Sequence, residues 1–511
     1  MIDRRGFMAG ASLVGSAIAA PSLAAAGDPI VATTSGRVRG RREGAVDVFR
    51  GIRYGIADRF RAPRAPAPSS SIIDAAQFAP SAPQRGKYHP QSEDCLFLNV
   101  WTPQARRGPR LPVMVYFHGG AYSNGSVVDP LNDGRHLASN NVVCVTVNHR
   151  LNAFGYLYLA RLDPRFTDSG NNGQLDLILA LKWIRENIAG FGGDPARVMV
   201  FGQSGGGAKI ATLMGMPAAS GLFHSAATMS GQQVTASGPL HATERARAYL
   251  ASLKAKPADL LAMPVERLVD ALDATDPILG GGLYFGPVLD MKWLIRHPFW
   301  PDANPLSNRV PMVLGNTHDE TRAFIPRERM AGLTWDNLAE RMAPELKVDI
   351  LPEWVVAQYR RLFPGYTPEQ VFYAATTAGR SWRGQVEEAE ARARATTPTW
   401  VYQVNFASPT EPWRGAPHTM DIALVFGTLD APGSFAGTGA ASRAVSDAMM
   451  RAFIALAARG DPNAAGLPRW PMYRLDHRAT MIFDSPPRIE YDPRREQREL
   501  FARVPYIQPG T

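Results

Sequence analysis

Apolar residues gather into short uninterrupted runs at "LPVMVYFHGG" (111–120) and "NVVCVTVNHR" (141–150). A strand packed on both faces needs such a run, whereas a strand with one wet face alternates. "GQLDLILALKWIRENI" (173–188) follows with apolar positions at Leu175, Ile178, Leu179 and Ile188, the spacing of a helix. A third strand is predicted at "VMVF" (198–201), and later runs at "VPMVLG" (310–315) and "TWVYQVNF" (399–406). Between and after them lie helix-like segments such as "SRAVSDAMMRAFIALAARG" (442–460). Near the N-terminus, "IVATTSGRVRG" and "AVDVFRGIRYG" alternate around glycine turns, as a small antiparallel sheet does. Strands alternating with helices predict an α/β fold, a mostly parallel sheet with helices on both faces.

In such a sheet, chemistry collects in loops beyond the carboxyl ends of the strands. Four of these loops carry reactive residues: "HGGAY" (118–122), "GQSGGG" (202–207), "NTHDET" (316–321) and "ASPTEPWRGAPHTMD" (407–421). The second could cradle a phosphate or present a nucleophile, since both uses bring backbone close to something else. A phosphate loop places lysine directly after its second glycine and a hydroxyl next. Here Ala208 follows Gly207, Lys209 comes one place late, and Ile210 stands where the hydroxyl belongs. The dinucleotide glycine pattern fails as well, because position 204 is serine. What remains is G-x-S-x-G across Gly202, Ser204 and Gly206, a sharp strand-to-helix elbow that lifts the serine out. A serine nucleophile needs a base, an acid to orient that base, and N–H donors for the oxyanion. Ser204, the acids Asp319 and Glu320, and His418 follow in the order serine, acid, histidine, but spacing alone does not choose between the two acids.

Composition narrows the field little. The 511 residues are 45% hydrophobic and 20% charged, as in an ordinary globular protein, and no long low-complexity linker divides them. "RAPRAPAPSSS" (61–71) reads as a proline-stiffened surface loop. The net charge of +9 comes from scattered basic residues, with no basic stripe interleaved with aromatics, so nucleic acid is not an expected partner. "DRRGFMAGASLVGSAIAAPSLAAAG" has twin arginines, a short apolar stretch and small residues. It resembles a bacterial twin-arginine export signal cut after Ala24 or Ala26, leaving residues 27–511 as one exported domain, periplasmic or secreted, with no stable membrane span. Cys95 and Cys144 both fall in strand-like runs and are expected as buried free thiols; no metal-ligand spacing is present.

Together these segments resemble the type B carboxylesterases, the cholinesterase-like branch of the α/β hydrolases. The similarity runs from about Val31 to about Asp484. It is carried by "SEDCLFLNVW", "VVCVTVNHRLNAFGYL", "GGDPARVMVFGQSGGG", "VPMVLGNTHDE", "GAPHTMDIALVFG" and "ARGDPNAAGLPRWPMY". The resemblance implies an α/β-hydrolase fold and hydrolysis of carboxylic esters through an acyl-enzyme, with no cofactor or metal. It implies Ser204 as nucleophile, His418 as base, Glu320 as the orienting acid, and the N–H groups of Gly120, Ala121 and Gly205 as oxyanion hole. Carbamate or amide hydrolysis by the same triad is the alternative. A non-catalytic binding protein of this fold is a weaker one, since such members usually lack the serine or histidine. Departures from the family pattern are Gln203 where glutamate is common, Gly205 for alanine, Thr321 for glycine, and Ala82 in place of a disulfide partner for Cys95. Gln203 removes a negative charge from beside the base, and Arg322 and Arg414 lie close by in sequence. Tolerance of esters bearing a carboxylate is therefore expected, together with an acidic limb of activity at lower pH. Tyr122, Tyr284, Phe285, Phe324 and Trp413 are expected to wall a pocket for apolar acyl or aryl groups.

Overall fold

A computed structural model describes residues 27–103, 109–508 and 510. Its main sheet has eleven strands, numbered here in chain order. They are β1 (Arg41–Glu43), β2 (Val46–Arg53), β3 (Phe97–Pro103), β4 (Leu111–Phe117), β5 (Val143–Val147) and β6 (Gly193–Gln203). Then come β7 (Ser225–Met229), β8 (Met312–Thr317), β9 (Thr399–Val404), β10 (Ala479–Phe483) and β11 (Arg488–Tyr491). Across the sheet the order is β11-β10-β9-β8-β7-β6-β4-β5-β3-β2-β1. The strands from β10 to β5 in that order run parallel, and antiparallel strands finish both edges.

The unbroken apolar runs are explained by what covers each face. In β4, Val113, Val115 and Phe117 point into one core and Met114 and Tyr116 into the other. In β6, Val198 and Val200 oppose Met199 and Phe201 in the same way. The first core takes Leu177, Ile178, Leu181 and Ile184 from helix α1 (Asn172–Asn187). The second takes Val445, Met449, Phe453 and Leu456 from a long helix, Ala440–Arg459. Every one of these side chains is buried. Cutting one such phenylalanine back to alanine costs about 3–5 kcal/mol, so both helices are held firmly to the sheet.

The N-terminal segments divide differently from expectation. "IVATTSGRVRG" forms a hairpin, Ile30–Thr33 with Gly36–Arg39, joined in parallel by Ile72–Asp74. "AVDVFRGIRYG" instead supplies β2, which pairs antiparallel with β3 of the main sheet from Val46 to Arg53. Ile188 lies beyond α1, in the tight turn Ile188–Phe191. Cys95 and Cys144 are both free and buried, and burial pushes both thiols well up. Cys144 is in β5, whereas Cys95 precedes β3.

Candidate active site

Ser204 stands between β6 and helix α2 (Gly205–Leu213), with φ 55° and ψ −125°. A non-glycine residue rarely takes positive φ, and a serine held there marks a strained turn. The flanking glycines explain how the turn closes. A Cβ on Gly206 would stand 1.9 Å from the Phe117 carbonyl oxygen, and one on Gly202 would stand 2.7 Å from the same atom. Neither position tolerates a side chain, so the elbow can fit against β4 only with glycine in both places.

The loop leaving β4 lies against the start of α2. Gly120, Ala121 and Tyr122 have φ of 89°, 51° and 68°, a run of positive φ that bends the backbone sharply. Ala121 N would be 2.6 Å from a Cβ on Gly205, so Gly205 admits this loop closer than a side chain would. Ala121 N therefore lies against Gly205, where the first amides of α2 have no partner inside the helix.

Glu320 and His418 come from the loops after β8 and β9, and their Oε2 and Nδ1 form a short hydrogen bond. The other carboxylate oxygen of Glu320 accepts from Ser230 Oγ at 2.5 Å, Thr317 N at 2.8 Å and Asn316 Nδ2 at 3.2 Å. Burial alone would push this carboxyl up, but His418, Ser230 and Thr317 outweigh it and hold Glu320 below its ordinary range. With Nδ1 on a carboxylate, His418 Nε2 is the acceptor nitrogen, and it takes the Gln203 amide at 3.1 Å. Gln203 adjoins Ser204, so this nitrogen faces the elbow. Asp319 is used otherwise. Its Oδ2 binds Ala416 N and His318 Nδ1, each at 3.0 Å, bracing the two loops together.

Several sequence expectations take a different form. Arg322 is engaged by Glu369 at 3.2 Å, and Arg414 by Glu411 at 2.6 Å, so neither offers an unpaired charge. Of the five expected wall aromatics, Phe324 is the one whose ring contacts His418, at 4.7 Å between centroids. Tyr122 packs on Tyr156, Phe285 on Tyr249, and Tyr284 and Trp413 lie under Arg245 and Arg414. His118 is buried against His149 and is pushed down to about 3, by burial first and then by Lys209. Sequence reasoning missed Ser230 as the partner of Glu320, and Lys209 as a buried group whose Nζ donates to the His118 carbonyl at 3.1 Å. It also missed Asp421, a buried acid that burial, and then Glu320, raise to about 7. A polar residue inside an apolar helix pattern was the available signal for Lys209.

The carboxylesterase family model matches residues 27–501. The para-nitrobenzyl esterase of Bacillus subtilis is 33% identical over 92% of this chain and 98% of its own length. The fumonisin B1 esterase of Sphingopyxis macrogoltabida is 30% identical over 91% of this chain and 88% of its own. Among solved structures, a Geobacillus stearothermophilus carboxylesterase superposes with a TM-score of 0.82 at 32% identity, covering 92% of this chain and 99% of that one.

Proposed function

Because the chain belongs to the carboxylesterase family, we propose that Ser204, His418 and Glu320 share the work of ester cleavage. The chain is a carboxylic ester hydrolase of the serine type. The observation that supports this assignment of roles is the Glu320–His418 pair, whose outer nitrogen faces the residue next to a strained serine. In the first step the Gln203 amide yields His418 Nε2 to Ser204 Oγ. His418 takes the serine proton as Oγ adds to the ester carbonyl, and Glu320 stabilises the resulting imidazolium. The N–H groups of Gly120, Ala121 and Gly205 receive the oxyanion. Collapse breaks the ester C–O bond, and the alcohol leaves with the proton from His418. Water then adds to the acyl-enzyme by the same route, freeing the acid and restoring Ser204.

Phe324, half exposed beside His418, favours an apolar group next to the scissile carbonyl. Residues 1–26, read as an export signal, lie outside the described residues, and residues 27–511 form the working enzyme. No helix among the described residues is long and apolar enough to cross a membrane. One panel tests the reading: nitrophenyl esters of increasing acyl length, with matched amide and carbamate analogues. Turnover should be faster on an ester with an apolar acyl group than on its matched amide or carbamate. Preference for the amide or carbamate would transfer the role to that substrate class.

A further inference from the structure

We propose that Arg380 is an anchor for a free carboxylate on the substrate, so that the site selects esters bearing a second, ionised acid group. This rests on the ester-hydrolase reading above. The Arg380 guanidinium lies 4.6 Å from the centre of the Phe324 ring, and that ring lies 4.7 Å from His418. The cation is therefore one ring away from the base. It is half-buried, and among the described residues it makes no hydrogen bond and no ion pair. The acids facing it are occupied: Glu345 by Arg329 at 2.8 Å, and Glu320 by His418 and Ser230. The Tyr506 hydroxyl is the remaining titratable group that it faces.

A solvent-reachable arginine with no partner keeps its planar fork free, and that fork fits a carboxylate with two parallel hydrogen bonds. Its place in the chain is also irregular. A π-type turn, Ala378–Trp382, interrupts the helical path there, with Arg380 at φ −96° and ψ −106°. Such turns are frequent at functional sites. Gln203 completes the setting, since a neutral amide rather than a carboxylate stands against His418 and does not repel an anion. The substrate that fits has its ester carbonyl at Ser204, an apolar stretch along Phe324 and a carboxylate at Arg380.

The test compares monoethyl with diethyl esters of succinic, adipic and suberic acids, and 4-acetoxybenzoate with phenyl acetate, by base uptake at constant pH. The first set puts the carboxylate on the acyl side and the second on the alcohol side. For at least one pair, Arg380→Gln should lower kcat/KM on the anionic ester by ten-fold or more, chiefly through KM. The neutral ester should change less than two-fold, which also shows that the variant is folded. Arg380→Lys should retain part of the anionic activity, and 0.5 M salt should weaken the wild-type preference. An equal loss on both members of every pair would mean that Arg380 only packs on Phe324, and would overturn the proposal. So would an unchanged ratio. If Ser204→Ala still cleaved both esters, the ester-hydrolase assignment itself would fail instead.

Discussion

Asp319 and Glu320 are adjacent acids with opposite surroundings. Glu320 is fully buried and spends one oxygen on His418 and the other on three donors, whereas Asp319 ties Ala416 to His318. Order along the chain could not separate them, because a one-residue step decides which acid points inward, and that depends on how the two loops meet. Glu320→Gln should therefore lower kcat by several orders of magnitude, since the amide cannot stabilise the imidazolium. Asp319→Asn should cost much less. A steady-state comparison in which Asp319→Asn is the worse variant would reverse the assignment. Gln203 gives a second test at this scale. A glutamate there would place a negative charge 3.1 Å from His418 and favour its protonated form. In Gln203→Glu the acidic limb of kcat/KM should move to higher pH, and a carboxylate ester should lose more activity than its neutral analogue. Equal responses with an unmoved limb would leave Gln203 a packing residue.

Among the elements, the inner strands were legible because each carries cover on both faces, and only a continuous apolar run satisfies that. Edges were less legible. β2 alternates just as the N-terminal hairpin does, and only pairing with β3 tells them apart. The pocket aromatics were unreadable for a similar reason: a ring in a loop and a ring in a core have the same composition. Helix α2 holds the clearest conflict between pattern and placement. Lys209 is buried with no carboxylate partner among the described residues, and its Nζ meets the His118 carbonyl and the face of Tyr122. Burial pulls this ammonium down to about 7 from its ordinary 10.5. Between those values the unfolded chain keeps a proton that the folded protein has released, so stability rises with pH through that window. The slope approaches about 1.4 kcal/mol per pH unit for one proton. Below pH 7 both states are protonated and the cost of burial is fully present. Urea unfolding of Lys209→Met should show its largest gain over wild type near pH 6, shrinking by pH 9. A difference independent of pH would place the charge of Lys209 in water.

For the whole molecule, the sheet brings residues more than two hundred positions apart to one edge. Ser204 follows β6, the loop of residues 118–122 leaves β4, and Glu320 and His418 follow β8 and β9. The strand order puts β4 beside β6 and β8 beside β9, so these loops gather without long detours. The motif order made this gathering legible in the sequence, while the contact of Gln203 with His418 and the unpartnered Arg380 needed the assembled loops. The central claim is that Ser204 carries the acyl group and His418 activates it. A fluorophosphonate ester, which adds only to an activated serine, tests both halves in one measurement by intact mass and peptide mapping. The wild-type protein should gain one adduct per chain, on Ser204, and His418→Ala should slow its formation by at least a thousand-fold. An adduct on another serine, or labelling of Ser204 at an undiminished rate without His418, would contradict the account.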